Sequence, residues 1–288
     1  MTLRKISALV LFTIFAATGC SQSTAARQVL DKVKAAYKAL ETYQAQGTIT
    51  LNADSGGRKV NAVTTFSILL KKPNQYLISW TQQMPMGMNS SGAVWNDGTQ
   101  PYLYLYMDNA YSKMTNDEMA LGNASGFSGG AAITVPSLFL PVFQAHTNPF
   151  LRLQHLKMEP AEKLGNEECY VISATSSAFE REVYWISKSR YLILQHSLEG
   201  RVKIPEMTDK QLDAAISRMG ANVTAETRKA RRDMLVQSRK RTAALHLSGE
   251  FTEMHTGITS PALDKKDFVF TPPAGAVLKE SLLGGLMK

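Results

Sequence analysis

The chain has 288 residues, of which 44% are hydrophobic and 19% are charged, so it is long and apolar enough to form a globular core. The formal net charge of +8 is unevenly distributed. Residues 201–241 contain eleven Lys and Arg against five Asp and Glu, and Arg4 and Lys5 supply the rest of the excess. The remainder of the chain is neutral, so the basic character belongs to one segment and needs a local explanation.

The N-terminus has the three parts of a secretory signal: Arg4 and Lys5, an apolar stretch of about a dozen residues, and small residues before Cys20. Ala17-Thr-Gly-Cys20 resembles the lipobox of bacterial lipoproteins, in which the cysteine is acylated and becomes the first mature residue. Ala17 departs from the leucine that is usual there. We predict a signal peptide at 1–19 and lipidation of Cys20; a cleaved signal with an incidental cysteine is the alternative. The apolar stretch is shorter than the ~20 residues that span a bilayer.

Lipidation of Cys20 would leave Cys169 without an intramolecular partner, which excludes a disulfide framework. Cys169 lies in the apolar segment Cys169-Tyr-Val-Ile172, which has the composition of a strand. We expect a buried structural thiol there.

A polar tether at 20–24 precedes an amphipathic helix over 25–43, with apolar residues at steps of three and four. From Gln44 the apolar period changes to two, which indicates strands separated by turns such as Lys72-Pro-Asn74. The predicted strands are 47–52, 64–70, 76–81, 91–96, 101–107, 110–114, 151–158, 168–174, 182–187, 191–199, 243–254 and 268–270. Short successive strands with tight turns pair antiparallel, since parallel pairing needs crossover connections.

Two segments interrupt the strands. The lid segment, residues 115–150, combines a short helix at 115–121, a Gly/Ser/Ala loop at 122–132 and an apolar run. The basic insertion, residues 205–241, contains two helical stretches, and Thr208-Asp-Lys-Gln211 forms a capping box at the start of the first.

Several motifs in chain order together indicate a family. They are Tyr43-Gln-Ala-Gln-Gly47, the strand–turn–strand unit over 66–80, Trp95-Asn-Asp-Gly98, residues 165–172 with Tyr184-Trp-Ile186, and Asp267-Phe-Val-Phe-Thr-Pro-Pro-Ala-Gly275. This set resembles the periplasmic carrier and the outer-membrane receptor of the lipoprotein localisation (Lol) pathway, and related exported proteins, over about residues 25–280. The Lys-Pro-Asn turn and the closing Phe-x-Phe-Thr-Pro-Pro-x-Gly are its most specific parts.

The resemblance implies one α+β domain over 25–288: a strongly curved antiparallel sheet, an incomplete β-barrel, with a helical lid on its concave face. Acyl chains of lipoproteins or lipids lie in the hollow of such proteins. The basic insertion has no counterpart in the carrier or the receptor.

Apolar side chains on shared strand faces, together with the lid segment, are expected to line that hollow. The predicted lining residues are Ile49, Leu51, Phe66, Ile68, Leu70, Tyr76, Ile78, Trp80, Phe139, Val142 and Phe143. Each methylene of a buried acyl chain contributes ~0.8 kcal/mol, so dispersed apolar side chains suffice for binding. The alternative is that these residues fill a closed core.

Met84-Pro-Met86-Gly-Met88 resembles the receptor's short loop, in which an apolar residue between Pro and Gly touches the membrane. We predict membrane contact for these methionines. Ordinary loop packing and a Cu(I) site are the alternatives, although no neighbouring His or Cys completes a copper site.

In the basic insertion, Arg228, Arg231, Arg232 and Arg239 fall near one another on a helix. Such a face fits anionic headgroups, at ~1 kcal/mol per cation near the surface, or an acidic protein partner. A solvated helix pair without a dedicated partner is the alternative. Nucleic acid is not expected as a ligand of an exported chain.

Catalysis is not predicted. Gly126-Phe-Ser128-Gly-Gly130 matches the Gly-x-Ser-x-Gly pattern, but that chemistry needs a strand before the serine and a helix after it. A hinge of the lid segment is the better interpretation. The five His are scattered and no phosphate-binding glycine loop is present, so we expect no metal and no cofactor.

The sequence therefore predicts a lipid-anchored periplasmic binding protein that holds acyl chains of a lipoprotein or lipid for transfer or sorting to the outer membrane. Ser21, rather than Asp, follows Cys20, which points to the outer membrane facing the periplasm. The alternative is an envelope-stress regulatory or structural lipoprotein that docks a protein partner through residues 205–241.

Overall fold

The structure, a computed structural model, describes residues 15–83, 90–144, 149–201, 207–218, 224–244 and 247–282. Its helices are α1 (Phe15–Ala39), α2 (Asp117–Phe127), α3 (Pro136–Phe139), α4 (Pro141–Gln144), α5 (Asp209–Arg218) and α6 (Ala225–Ala244). Its strands are β1 (Thr42–Ser55), β2 (Arg58–Lys71), β3 (Gln75–Gln83), β4 (Ser90–Asp97), β5 (Pro101–Leu105), β6 (Ala110–Lys113), β7 (Gln154–Leu164), β8 (Glu167–Thr175), β9 (Arg181–Ser187), β10 (Ile193–Arg201), β11 (Leu247–Thr259) and β12 (Val277–Leu278).

All twelve strands form one sheet in the order β12-β6-β5-β4-β3-β2-β1-β11-β10-β9-β8-β7. Neighbouring strands are antiparallel except β12, which pairs parallel to β6. Within the described residues the edge strands β12 and β7 do not pair with each other, so the sheet stays open. The predicted α+β class, a curved and mostly antiparallel sheet with helices, is confirmed.

The hairpin between β1 and β2 shows how local sequence sets the register. Its two-residue loop, Gly56-Gly57, has φ of 60° and 87°, and two positive φ angles are what a type I′ turn requires. The Gly57 N–H donates to Asp54 Oδ1 at 2.7 Å. Beyond the turn, buried and exposed residues alternate along β2, as expected for a strand with one face in a core.

One face of the sheet, here called the concave face, is covered by α1 and the lid segment. Helix α1 packs along β7, and α2 packs on β4 and β5. The main hydrophobic core lies between these helices and the sheet. No helix among the described residues combines the length and apolarity needed to cross a membrane.

The opposite face, here called the outer face, carries a second, smaller core beneath the C-terminal segment. Phe270 packs with ring-centroid distances of 5.1 Å to Trp95 and 5.6 Å to Tyr104. The predicted strand at 268–270 is wrong, because Lys265–Phe268 forms a 3-10 turn that buries Phe268 completely. The two phenylalanines of the Phe-x-Phe motif are therefore not residues of one strand. Phe268 is buried in the turn, and Phe270 packs in the smaller core of the outer face.

Helix predictions were imprecise at several boundaries. Helix α1, predicted to continue to residue 43, ends at Ala39, and β1 begins at Thr42. Helix α2 continues to Phe127, through the segment predicted as a loop, and its N-cap Asn116 accepts a bond from the Met119 N–H at 2.8 Å. Helix α6 extends to Ala244, where the sequence predicted the start of a strand. Helices α5 and α6 pack on each other, and within the described residues neither has an extensive contact with the sheet.

Lys72, the first residue of the Lys-Pro-Asn turn, caps the C-terminal end of α1. Its ammonium group donates to the carbonyl oxygens of Tyr37 at 3.3 Å, Lys38 at 2.5 Å and Leu40, which are at the C-terminal end of α1. It also lies 5.0 Å from the ring centroid of Phe139 in the lid segment. A cation at this end satisfies carbonyl groups that the helix itself leaves unpaired.

Replacing Lys72 by Met keeps the aliphatic length but removes the three donors. We expect the free energy of unfolding to fall by about 1–2 kcal/mol, because the last α1 carbonyls lose their partner. Urea denaturation measures it. Lys59→Met, at an exposed position of β2, is the control and leaves stability nearly unchanged. Equal stability of the two variants would contradict the capping role.

Candidate functional site

The predicted lining residues lie mostly on the concave face, packed against one another. Nine of the eleven are at most 5% exposed and belong to the main core, namely Ile49, Phe66, Ile68, Leu70, Tyr76, Ile78, Trp80, Phe139 and Phe143. Val142 is half-buried and packs against that core. In this state the protein's own side chains occupy the space that a guest would take.

Two close approaches show how tightly the concave face is filled. The Phe66 ring lies over Gly47, and the Trp80 indole lies over Gly92 on the neighbouring side. A Cβ built on either glycine would come within 2.3 Å of a ring atom, so only glycine fits there. The register joins these positions in one row, Gly47–Phe66–Trp80–Gly92.

Leu51 lies apart from the other predicted lining residues. It is half-buried and borders a recess of about 80 Å³, together with Ala53, Leu198 and Phe251. Ligand pockets for small molecules are typically several hundred Å³, so this recess does not hold an acyl chain by itself.

Polar contacts hold the lid segment on the sheet. The Tyr76 hydroxyl and the Asn96 amide both donate to Asp117 Oδ1, at 2.9 and 2.6 Å, at the N-terminus of α2. Thr134 Oγ1 donates to Glu253 Oε2 at 2.5 Å. Elsewhere the lid segment meets the sheet through apolar side chains such as Ala120, Leu121 and Phe139.

Ser128 lies in the interior of the lid segment. It follows the C-terminus of α2, is fully buried, and its Oγ accepts a bond from the Ala132 N–H at 3.2 Å. Cys169 is likewise fully buried, and burial raises the pKa of its thiol. Among the described residues no group of three or more His, Cys, Asp or Glu has a geometry that could hold a metal ion.

The remaining predicted sites are only partly described. The predicted membrane-contact residues Met84, Met86 and Met88 lie outside the described residues, as do residues 1–14 of the predicted signal peptide. Cys20 falls within the backbone range of α1. On α6, Arg228 is exposed and Arg231 and Arg239 are half-buried.

Arg232 is engaged within the insertion. Its guanidinium pairs with Asp213 at 2.9 Å and with Asp209, both on α5. Arg232 therefore contributes to holding α5 against α6.

A cleft that the sequence did not predict opens where two central strands part. β10 pairs with β11 only from Gln195↔Met254 to Arg201↔Ser248, whereas β11 continues alongside β1 up to Thr259. This β10–β11 cleft has two lobes that share Arg190, Ile258 and Thr259. One lobe, of about 580 Å³, is bordered by Leu164, Leu194 and Met254, and the other, of about 460 Å³, by Ala36, Leu40 and Leu192.

The cleft is predominantly apolar but carries one cation at the junction of its lobes. Arg190 donates through Nη1 to the Ile258 carbonyl at 3.1 Å and pairs through Nη2 with Glu167. The Arg190 side chain thus bridges the turn before β10 to strand β11. Each lobe is within the size range of pockets that bury small molecules.

A buried polar row crosses the concave face beside the cleft. The register aligns Tyr184 on β9, His196 on β10 and Glu253 on β11. Their neighbours on the same face are Glu182, whose Oε2 accepts from the Tyr184 hydroxyl at 3.0 Å, and His255, whose Nε2 lies 3.1 Å from Glu253 Oε1. The two Glu and two His are at most 5% exposed, and His255 also borders the cleft.

Glu182 is held in its charged form inside this row. Burial, the largest influence, raises its pKa, but His196, with Nε2 at 3.6 Å, and the Arg152 guanidinium at 3.5 Å outweigh that effect. The pKa of Glu182 falls from 4.5 to about 2. A buried carboxylate is tolerated only with such partners.

The sequence patterns contain only weak signals for the cleft and the polar row. Leu192-Ile-Leu194 interrupts the period of two, which indicates apolar contacts on both faces of β10. Polar residues occupy every second position in parts of two strands, Glu182 and Tyr184 in β9 and Glu253 and His255 in β11. Apolar residues are expected at these positions. Only the strand register brings these residues, about 70 positions apart in the chain, into one row.

Residues 26–278 match the family model described as "Predicted periplasmic protein (DUF2092)", so the chain belongs to that family of predicted periplasmic proteins. No curated protein matches the sequence.

Among solved structures the chain is similar to the lipoprotein LppX of Mycobacterium tuberculosis, with 10% identity, 83% of this chain and 98% of that chain covered, and a TM-score of 0.41. It is also similar to a LolA superfamily protein of Nitrosomonas europaea, with 11% identity, coverage of 85% and 97%, and a TM-score of 0.29. A third is the MucA/MucB complex of Pseudomonas aeruginosa, with 11% identity, coverage of 86% and 61%, and a TM-score of 0.31.

Loss of the Glu182 charge tests the buried polar row. Because its folded pKa is below the ordinary value, its stabilisation is present above about pH 4.5 and disappears as the pH falls to about 2. The difference in unfolding free energy between wild type and Glu182→Gln should shrink by about 3 kcal/mol from pH 5 to pH 2. Denaturant titrations across that range measure it.

Glu199→Gln is the matched control, since Glu199 pairs with Arg181 at 2.7 Å at the surface rather than inside the core. Its difference from wild type should stay small at every pH. A Glu182→Gln difference that is independent of pH would contradict a charged, stabilising Glu182.

Proposed function

We propose that this protein is an exported, membrane-tethered binding protein that takes up the acyl chain of a lipoprotein or lipid through the β10–β11 cleft. It is not an enzyme in this proposal. Lipidation of Cys20 would anchor it at the outer membrane on the periplasmic side, and it would pass its guest toward that membrane.

The observation that carries the proposal is the cleft itself. Two lobes of several hundred Å³, walled by Leu40, Leu192, Leu194 and Ile258, offer apolar surface that the fold leaves uncovered. Each methylene placed there gains about 0.8 kcal/mol, so a part of one chain suffices for measurable binding. Arg190 at the junction is suited to a carboxylate or phosphate group on the guest.

In this proposal the predicted lining residues form a second compartment for the acyl chain. Most of them are buried beneath the lid segment or belong to it, so a long chain would reach them only when that segment moves off the sheet. Among the described residues the lid segment is held by hydrogen bonds at Asp117 and Thr134, by Lys72 over the Phe139 ring and by apolar contacts, which a guest can replace with contacts of its own. In this view the structure is the closed form.

The envelope-stress regulatory or structural role is the second candidate, in which the basic insertion docks a protein partner. It is favoured by the separation of α5 and α6 from the sheet and by the exposed Arg228. It differs from the first candidate because it makes no use of the cleft.

A charge placed in the cleft should weaken acyl binding. Ile258 is half-buried and borders both lobes, so Ile258→Glu puts a carboxylate against the guest's methylenes. We expect at least about tenfold weaker binding of a fluorescent long-chain fatty acid, equal to about 1.4 kcal/mol. Displacement titrations measure the affinity, and circular dichroism checks the fold.

Val63→Glu is the matched control. Val63 is another β-branched strand residue, 42% exposed on the outer face of β2 and remote from the cleft. It should bind the fatty acid like wild type. Equal binding by Ile258→Glu and Val63→Glu would remove the cleft from the mechanism and favour the second candidate.

Locking the lid segment tests the second compartment. A Cβ at Gly129 would lie 3.4 Å from Thr64 Oγ1, so Thr64→Cys with Gly129→Cys is positioned for a disulfide between sheet and lid segment. In a Cys20→Ser background, the oxidised double variant should bind a long-chain fatty acid about tenfold more weakly than its reduced form.

The reduced double variant and the single variant Gly129→Cys share any strain at position 129, whose φ is +65°, but lack the cross-link. The single variant Thr64→Cys shows the effect of the sheet substitution alone. If oxidation leaves the affinity unchanged, the lid segment need not move, and the guest stays within the cleft.

A further inference from the structure

A further groove lies on the outer face, on the side of the sheet opposite the lid segment, and meets the larger lobe of the cleft at Thr256. It runs between β1–β5 and the C-terminal segment and has a volume of about 590 Å³. Phe270 and Pro273 form one wall, and the strands form the floor. We call it the outer-face groove; the proposed acyl binding makes no use of it.

The floor of the groove is built from aligned hydroxyl groups. The register places Thr48, Thr65, Thr81 and Ser91 side by side on four adjacent strands. With neighbouring strands about 4.8 Å apart, this row extends over about 14 Å. In the next row Ser67 and Ser79 share a hydrogen bond of 2.8 Å. Each hydroxyl can both donate and accept, so the floor suits a ligand with the same dual capacity.

Tyr104 supplies a second, independent observation at the aromatic wall. Its ring packs against Phe270 at a tilt of 35° and lines the groove, and the residue is 2% exposed. Its hydroxyl has no hydrogen-bond partner among the described residues. Buried polar groups are usually paired, so this hydroxyl is available to a ligand that enters the groove.

The chemistry of the lining excludes several ligand classes. None of the lining residues is charged, in a chain with 32 Lys and Arg and 24 Asp and Glu, so the groove offers nothing to an anion or a cation. Strands β1–β4 are each paired on both sides, so a peptide cannot add a strand here. What remains is an uncharged, hydroxyl-rich ligand with an apolar face for the aromatic wall.

We propose that the outer-face groove binds a neutral glycan. A sugar chain laid along the row would exchange hydrogen bonds with the hydroxyls of Thr48, Thr65, Thr81 and Ser91. Its C–H face would rest against Phe270 and Pro273, and a sugar hydroxyl would pair with Tyr104. An exported protein with such a groove could hold to a glycan of the cell envelope while the cleft remains open to its guest.

The test is isothermal titration of the full mature chain with chitohexaose, cellohexaose and maltohexaose. At least one should bind in the micromolar to millimolar range. Thr65→Val combined with Thr81→Val removes two facing hydroxyls but keeps the β-branched shape, and it should weaken binding at least about fivefold. Tyr104→Phe should weaken it as well.

Thr50→Val combined with Thr252→Val is the matched control, because these residues face each other on β1 and β11 outside the groove. It should bind the glycan like wild type. Thermal unfolding and fatty-acid binding of each variant separate a loss of the groove from a loss of the fold. The proposal is overturned if none of the three oligosaccharides binds, or if both double variants bind equally well.

Discussion

The packing of the sheet's concave face against α1 and the lid segment is the contact on which the rest of the molecule depends. A sheet with one apolar face must bury it, and α1 and the lid segment do so with small, aliphatic and aromatic side chains. Glycines at 47 and 92 let the rings of Phe66 and Trp80 lie flat on the strands. The result is an interior that is full in the absence of a guest.

Because the interior is full, the accessible apolar surface lies where the pairing of β10 with β11 ends. The pairing of β10 with β11 begins at Gln195. Ahead of that residue the two strands are separate, and Arg190 spans the gap with its bond to the Ile258 carbonyl. The buried row of Tyr184, His196 and Glu253 runs beside this opening. Glu182 stays charged in this buried row because Arg152 and His196 lie within 4 Å and the Tyr184 hydroxyl donates to it, which links β9 to β10.

Local patterns predicted much of the fold. The alternation along β2 and β3 and the amphipathic stripe of α1 reflect burial of one face of each segment. Such a pattern is visible in the residues of the segment itself. The strand prediction at 268–270 failed because Lys265–Phe268 forms a 3-10 turn, which alternation alone cannot reveal. Helix α2 was predicted too short because Gly122 and Gly126, unfavourable in isolation, are accommodated within a packed helix.

The candidate site was less predictable for a physical reason. The cleft arises from the mismatch between two long pairings, β1 with β11 and β10 with β11, and no single strand encodes that mismatch. The polar row likewise exists only once Glu182 and Glu253 share a face. Residues such as Ile68 and Ile78 were correctly expected to be apolar and inward-facing, but pattern alone does not distinguish a pocket lining from a closed core.

The most direct measurement is photo-crosslinking of the mature protein with a diazirine-bearing long-chain fatty acid, followed by mass spectrometry of the labelled peptides. We expect adducts on the segments around Leu192–Leu194 and Ile258, suppressed by excess unlabelled fatty acid. Adducts confined to other surfaces, or labelling that excess fatty acid does not suppress, would contradict it.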